Sequence, residues 1–319
     1  MFYKGKKVLV TGGAGFVGTH IVEELLKHDA KVRVSIHNRP MIVKDKNVET
    51  VQADLANLGD CIQAVKGVDY IFHAAGAVAA AAVTTTNPME AIIGNLVLTA
   101  RILQASWECK VGRVLIFSSS TGYPAADYPI KEEEMWKAHP HPTYFGYGWM
   151  RRYLELLGEY VHSKSGVKVV IVRPTAVYGR HDNFNPKTSH VIPALIRRAV
   201  EKENPFVVWG TGDEVRDFLH IKDLARACLL MLEKCPDCDP VNIGYGKVVT
   251  VKEIVNAILE AAGHNDRKIV FDSSKPTTIP FRMVDTTKAK RLLGFEPSIS
   301  LEEGLRDTVE WYVRERSKA

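Results

Sequence analysis

Tyr144 and Tyr147 stand three residues apart in the run TYFGYGWMRRYLE, ahead of the pair Arg151–Arg152. A phenol ordinarily releases its proton near pH ~10, too high for acid–base work at neutrality. A cation one helical turn further along shares the phenol's face and favours the phenolate. Such a pair would move a proton to or from an oxygen on a reacting carbon. The residues alone leave open which tyrosine does this and whether an arginine can be the cation.

A second stretch, KKVLVTGGAGFVGTHIVEELL, sets glycines at 12, 15 and 18 between a buried strand and a helix. Gly12 allows a tight turn, Gly15 lets backbone approach a pyrophosphate, and Gly18 lets the helix pack closely on the sheet. The helix N-terminus then faces the negative charge. The next strand, KVRVSI, runs into His37-Asn38-Arg39, where an NAD site would carry an acid for the ribose hydroxyls. Arg39 could instead bind a 2′-phosphate. NADP(H) is therefore the favoured expectation, with NAD(H) the alternative should Arg39 be a loop arginine in water. Asp54 in QADL suits the adenine amino group, and equally suits a helix cap.

These residues need a frame. Over roughly the first 170 residues short β-rich runs alternate with helical stretches. KKVLV, KVRVSI, VETVQ, DYIFHAA, RVLIFSSS and VKVVIVRP read as strands, with long helices near 88–107 and across the arginine pair. That alternation predicts an α/β fold with a doubly wound parallel sheet. Beyond Tyr178 the pattern loosens, predicting a smaller C-terminal α/β lobe: residues 1–178 bind the dinucleotide and 179–319 the substrate. KDLARACLLMLEK and DPVNIG, near 220–245, look able to return to the main sheet.

Bulk properties exclude several classes. The chain has 319 residues, 46% hydrophobic and 25% charged, with a net charge of +5 spread along its length. This gives no nucleic-acid footprint. The alanine-rich run from Ile71 to Val83 is too short to span a bilayer, and the first residues pass straight into a strand rather than a signal peptide. Five cysteines point to reduced thiols in a cytoplasmic setting. Cys235 and Cys238 form a lone CPDC, read as a surface turn rather than half a zinc ribbon, and no metal is expected.

The order of parts resembles the extended short-chain dehydrogenases, the NAD-dependent epimerase/dehydratase family. The resemblance runs through TGGAGFVG, ADL, HAAG at 73–76, Asn95, FSSS at 117–120, YGWMR, RPTAVYG at 173–179 and VRDFLHIKDLA at 215–225. HDNFNPKTSHVIPALIRR and VVWGTGDEVRDFLH resemble the substrate lobe of GDP-L-fucose synthases. The resemblance implies a Rossmann domain and makes Tyr147 the active tyrosine, since the family's glutamate follows eight residues on, here Glu155, with Arg151 at the cation position. Tyr144 becomes a packing or substrate-edge residue. Ser119, four residues before Tyr123, becomes the hydroxyl that bonds the reacting oxygen. Phe16, Val17, Leu55, His73, Ala74 and Ala75 join the dinucleotide site, although His73 also reads as a core histidine and Asn95 as bonded within its helix.

Arg151 stands where the family has lysine. Arginine keeps the charge and the donors that hold the nicotinamide ribose, but cannot give up a proton, and its planar fork needs more room. Exchange to lysine should preserve or raise activity. A surface Arg151 in a decayed site is the competing reading. In the two positions after Ser119, dehydratases of the family carry Asp-Glu, and GDP-L-fucose synthases carry a cysteine in the second as base. Ser120 and Thr121 occupy them here, and unassisted hydroxyls are too weakly acidic to serve. His190 matches the family's acid or a sugar contact. Thr121, Trp209, Arg216 and Arg282 are expected at the substrate: Trp209 stacks on a nucleotide base or flanks the pocket, Arg216 suits the diphosphate, and Arg282 stands where the family has another cation. Ala176 replaces a family asparagine, removing one contact.

The expectation is a homodimeric enzyme that transfers hydride between NAD(P)(H) and C4 of an NDP-hexose, most simply by 4-keto reduction. A C4 epimerase with retained NAD is the alternative, and a non-catalytic dinucleotide sensor the third.

Overall fold

The computed structural model describes residues 1–76, 88–275 and 279–317, so the alanine-rich run from 77 onward lies outside the described residues. The first half alternates as β1 (Lys7–Thr11), α1 (Phe16–Lys27), β2 (Lys31–Ile36), β3 (Val48–Gln52), α2 (Leu58–Val65), β4 (Tyr70–His73), α3 (Pro88–Glu108), β5 (Arg113–Phe117), α4 (Phe145–Ser165) and β6 (Lys168–Pro174). The second half continues through β7 (Ala176–Tyr178), α5 (Val191–Val200), β8 (Phe206–Trp209), β9 (Val215–Arg216), β10 (Phe218–His220), α6 (Ile221–Lys234) and β11 (Val241–Ile243). It ends with β12 (Val249–Thr250), α7 (Val251–Ala261), β13 (Ile269–Asp272), β14 (Phe281–Arg282), α8 (Thr287–Leu293) and α9 (Leu301–Arg316).

The main sheet has seven strands in the order β11-β6-β5-β4-β1-β2-β3, every neighbouring pair parallel. This is the doubly wound Rossmann arrangement expected from the alternation. The apolar runs of β1, β4, β5 and β6 are buried because helices cover both faces. On one face Ile21, Val22 and Leu25 of α1 pack with Leu224, Cys228 and Leu232 of α6. On the other, Cys61 and Ala64 of α2, Ile102 and Leu103 of α3 and Val161 of α4 close a second core. Each fully buried branched side chain contributes roughly 1.5–3 kcal/mol of transfer free energy. Strand order reverses between β1 and β4, so the carboxyl ends of these strands form the crevice where such sheets bind ligands.

Of the later elements, α6 returns to the main sheet and β11 pairs with β6 at its edge. The rest build a third core, in which Ile192 and Ile196 of α5, Ile254 and Ile258 of α7 and Leu305 and Val309 of α9 meet Phe206, Val208 and Phe218. Capping boxes start α7 at Thr250/Glu253 and α9 at Ser300/Glu303. The short strands pair into three small sheets: β7 with β10, β8 with β13, and β12-β9-β14. The segment between Cys235 and Cys238 is the turn from α6 into β11, and burial raises the pKa of both thiols. Among the described residues no helix is long and apolar enough to cross a membrane, and no His, Cys, Asp and Glu side chains gather as a metal site.

Candidate active site

The crevice opens into a cavity of about 740 Å³ that runs from the start of α1 to the β9–β14 pair. At one end Gly12 turns with φ +65°, and a Cβ there would sit 2.8 Å from the Ala75 Cα. A Cβ on Gly18 would lie 2.2 Å from the Gly12 carbonyl oxygen. Only glycine allows both approaches, and they place Phe16 and Val17 at the wall together with Ala74 and Ala75. Gly15 is the N-cap of α1, with no side-chain cap and no acid in the first turn. The helix therefore presents unpaired N–H groups and the positive end of its dipole. By contrast α2 is capped by Asn57 through the amides of Gly59 at 2.8 Å and Asp60 at 3.3 Å.

Further out, Asn38 and Arg39 are exposed just past the end of β2, and Asp54 and Leu55 follow β3. Asp54 accepts from the Ala56 amide at 3.0 Å, which is local turn chemistry. His73 is buried, with its ring bonded to Thr11 Oγ1 at 2.8 Å and Thr99 Oγ1 at 3.1 Å. Burial, followed by the charge of Arg151, depresses its pKa from 6.5 to about 3, so the imidazole is neutral. Both ring nitrogens being spent, His73 fixes the wall through Thr11, whose hydroxyl takes the Ala75 amide at 3.2 Å. Asn95 donates to the Ala91 carbonyl one turn back at 2.6 Å, and its Oδ1 lies where a Cβ on Gly76 would fall.

Tyr147 and Arg151 are one turn apart on α4, and both line the cavity. Arg151 Nη2 donates to the phenol oxygen at 2.5 Å, and Nη1 donates to the Phe117 carbonyl at 2.8 Å. The guanidinium carbon lies 4.9 Å from the phenol ring centroid, and Nε is buried without a partner. A surface arginine makes no such fork. Ser119 shares the wall, and its hydroxyl oxygen accepts from the Thr121 amide at 3.1 Å. Its own hydrogen stays available to donate. Thr121 Oγ1 is buried and unpartnered.

At the far end the β9–β14 register pairs Arg216 with Arg282. Directly paired residues of a ladder project to the same side, so two cations lie side by side. Arg216 donates to the Val215 carbonyl at 2.8 Å, and Arg282 to Ser120 Oγ at 2.9 Å. Burial lowers the pKa of both, and Tyr144, with the Arg282 guanidinium 4.8 Å from its ring centroid, acts in the opposite direction. Among the described residues neither arginine forms a carboxylate salt bridge, although Glu214 acts on Arg216 and Asp217 on Arg282, and two desolvated cations so placed favour an anion between them. His190, the N-cap of α5, lines the cavity with Nδ1 3.8 Å from Asp182 Oδ1. Trp209 ends β8, 60% exposed and outside the cavity lining.

The structure therefore gathers Phe16, Val17, His73, Ala74, Ala75, Ser119, Thr121, Tyr147, Arg151, His190, Arg216 and Arg282 around one space. Gly12, Gly15, Gly18, Asn38, Arg39, Asp54, Leu55 and Trp209 stand outside that lining, the glycines adjoining it in sequence through Phe16 and Val17. Sequence analysis missed Asp217, a buried cavity-wall carboxyl whose pKa burial raises to about 6 against hydrogen bonds from the Tyr245 amide and Thr175. It lies beside Arg216 in VRDFLH, and proximity to that arginine was the available signal. Glu155 had only marked spacing. It proves to be buried and ion-paired with Arg173, a partner no sequence pattern names.

Known proteins match this arrangement. The sequence profile of the NAD dependent epimerase/dehydratase family matches residues 8–244. A probable GDP-L-fucose synthase 1 from Oryza sativa subsp. japonica is 33% identical over 318 residues, covering 97% of this chain and 93% of its own. A dTDP-4-dehydro-6-deoxy-D-allose reductase from Streptomyces sp. is 30% identical over 322 residues, covering 97% of both chains. The crystal structure of a UDP-glucose 4-epimerase with UDP-glucose, from Thermotoga maritima, superposes with a TM-score of 0.86 at 27% identity, covering 97% of this chain and 99% of its own. On its profile, its full-length relatives and its fold, the chain belongs to the NAD dependent epimerase/dehydratase family.

Proposed function

We propose that the protein is a nucleotide-sugar 4-ketoreductase, which reduces the C4 ketone of an NDP-hexose with NAD(P)H. One observation carries the reading: the Tyr147–Arg151 pair, closed at 2.5 Å, shares its cavity with Ser119 and with the register-paired cations Arg216 and Arg282. That is one proton donor for one reacting oxygen, with an anion site beyond it. The relatives named for GDP-L-fucose and for a dTDP-linked sugar support a nucleotide-sugar substrate.

Bound NAD(P)H supplies the hydride. The glycine loop and the uncapped start of α1 hold the pyrophosphate, and Asp54 and Leu55 flank the adenine. Arg151 keeps the second hydrogen on each of Nη1 and Nη2 as donors for the ribose hydroxyls, whereas Nε is buried. Asn38 and Arg39, exposed where an acid would repel a 2′-phosphate, favour NADP(H) over NAD(H). Ser119 donates to the ketone oxygen, and Tyr147 gives its proton to the alkoxide as it forms. Arg216 and Arg282 take the diphosphate, Thr121 and His190 face the sugar, and Trp209 flanks the entrance. The elements after Tyr178, apart from α6 and β11, form the substrate lobe. Ile93, Val97 and Trp107 of α3 and Tyr153, Leu156 and Tyr160 of α4 leave apolar surface exposed, which a second copy would cover in a homodimer. The free thiols fit a cytoplasmic setting.

A C4 epimerase is the second reading, favoured by the likeness to the UDP-glucose 4-epimerase structure. The test is to incubate purified protein with NADPH and a 4-keto nucleotide sugar, following absorbance and product. Stoichiometric NADPH oxidation supports the reductase. A retained NAD with interconversion of C4 epimers and no net oxidation supports the epimerase. Cofactor binding without turnover of any sugar nucleotide leaves only a dinucleotide sensor.

A further inference from the structure

β5 ends at Phe117, and the last backbone bond tying it to β6 is from the Ser118 amide to the Val172 carbonyl, at 2.8 Å. Ser119 is the next residue, where the sheet no longer holds the chain. The Ser118 side chain takes over: its hydroxyl donates to Glu155 Oε1. Glu155 lies on α4, two turns beyond Tyr147, and is in turn gripped by Arg173 at the end of β6. Arg173 Nε meets Oε1 at 2.8 Å and Nη2 meets Oε2 at 2.6 Å. The two side chains are 5% and 3% exposed. The remaining arm, Arg173 Nη1, donates to Tyr123 Oη at 2.9 Å and to the Glu132 carbonyl at 2.8 Å. Tyr123 closes the turn that carries Thr121, and its hydroxyl donates to Asn242 of β11 at 2.7 Å.

A buried ion pair is poor evidence for stability, because apolar replacements of equal volume commonly serve as well. What this one supplies is geometry. α4 is fastened to the end of β5 by two rungs, Arg151 to the Phe117 carbonyl and Glu155 to the Ser118 hydroxyl. Together they fix the helix in both translation and roll against the one residue that follows. We propose that Ser118, Glu155 and Arg173 form a positioning unit that sets the Ser119 hydroxyl against the Tyr147 phenol. The proposal rests on the reductase reading for its kinetic test. Ser118 lines the cavity beside Ser119, but its hydroxyl is given to Glu155, and Glu155 and Arg173 stand outside the lining, so the unit acts through Ser119 and Tyr147.

Ser118 is the place to test it, because removing either member of the ion pair would strand a buried charge and threaten the fold. Ser118→Ala breaks the link and leaves the pair, while Ser118→Thr keeps a hydroxyl. With NADPH and a 4-keto nucleotide sugar, Ser118→Ala should lower kcat by roughly 10- to 100-fold, the cost of a misplaced catalytic group. KM for both substrates and Tm should stay near wild type, and Ser118→Thr should restore most of the rate. An unchanged kcat in Ser118→Ala overturns the proposal, as does a loss accounted for by a lower Tm and not rescued by threonine. Should wild type reduce no nucleotide sugar, the reductase reading fails, and positioning is judged on the NADP⁺ complex. There the ring carbon signal of Tyr147 in ¹³C-tyrosine-labelled protein, assigned with Tyr147→Phe, should move in Ser118→Ala and return in Ser118→Thr. A signal that does not move overturns the positioning unit as well.

Discussion

Arg151→Lys separates the two tasks that the arginine fork combines. In the native site one nitrogen serves the Tyr147 oxygen at 2.5 Å and another serves the Phe117 carbonyl at 2.8 Å. A lysine ammonium carries its donors on a single point at the end of a flexible stem. Placed at the phenol, it keeps the positive charge where the proposed chemistry needs it and releases the carbonyl. Hydrogen bonds to charged groups contribute about 1.5–3 kcal/mol, so the loss falls on stability. At roughly 2–4 °C per kcal/mol, Tm should drop by about 3–12 °C. The reduction rate depends on the charge beside Tyr147 rather than on Phe117, so kcat should hold or rise. Arg151→Ala removes both functions and should cost about 100-fold or more in kcat/KM, with weaker cofactor binding. The assay is paired: thermal unfolding by circular dichroism, and NADPH oxidation with a 4-keto nucleotide sugar. A lysine variant as stable as wild type yet inactive would refute the division of labour, because it would show that the fork itself is required at the phenol.

Tyr147→Phe should abolish turnover while leaving cofactor binding intact, and Tyr144→Phe, which only loosens the contact with Arg282, should retain most activity; the reverse pattern in steady-state kinetics would mean that Tyr144 carries the proton. Arg39→Ala should weaken NADPH and spare NADH, whereas equal losses by fluorescence titration, or a native preference for NADH, would remove the 2′-phosphate contact. His73 keeps its imidazole neutral down to about pH 3, against an ordinary value of 6.5. The unfolded chain therefore takes up a proton that the folded chain does not, and stability should fall by roughly 1.4 kcal/mol per unit as pH drops from 6.5 toward 3. Urea unfolding of His73→Asn should show a slope flatter by one proton in that window, and an unchanged slope would contradict a neutral buried ring. Finally, a 4-keto nucleotide sugar held with the enzyme in deuterated water should gain no enzyme-dependent deuterium at C3 or C5. Rapid incorporation seen by NMR would place a working base in the cavity and make the protein an epimerase.

How much of this was legible depends on how local each cause is. The glycine turn could be read because Gly12 needs a positive φ and Gly18 a missing Cβ within one strand–turn–helix unit. Tyr147 and Arg151 could be paired because four residues on a helix always share a face. The sheet followed from alternation of periodicities, including the return of β11 to its edge. The arginine pair was half legible: Arg216 was expected at a diphosphate and Arg282 as another cation at the substrate, but their adjacency depends on the parallel register of β9 and β14, which no local pattern sets. Trp209 was less legible. Its aromatic face suggested stacking or a place beside the pocket, but as the last residue of a short strand its position depends on pairing with β13, and it lies outside the cavity lining. Arg173 and Glu155 were invisible as partners because their meeting depends on how α4 lies across β5 and β6.

Two of the positions that depart from the family pattern, Arg151 and Thr121, are accommodated differently by their surroundings. Arg151 has been absorbed: the backbone offers the Phe117 carbonyl to the arm that a lysine would lack, and its Nε is buried in a wall of the cavity. A residue left behind by decay would drift toward solvent and bond to water, because nothing would repay the rotamer entropy of holding it. Thr121 has not been absorbed in this way. Its hydroxyl is buried with no partner among the described residues, its neighbour Ser120 is held by Arg282, and no base is hydrogen-bonded to either oxygen. A hydroxyl without a base cannot take a proton from carbon. A second proton transfer would fall to His190, 3.8 Å from Asp182, or to Asp217, the buried carboxyl of the cavity wall whose pKa burial raises to about 6. The reductase reading asks acid–base work of Tyr147 and Ser119 at one oxygen alone, whereas loss of water or inversion at neighbouring carbons requires one of those further groups to act on a carbon-bound proton.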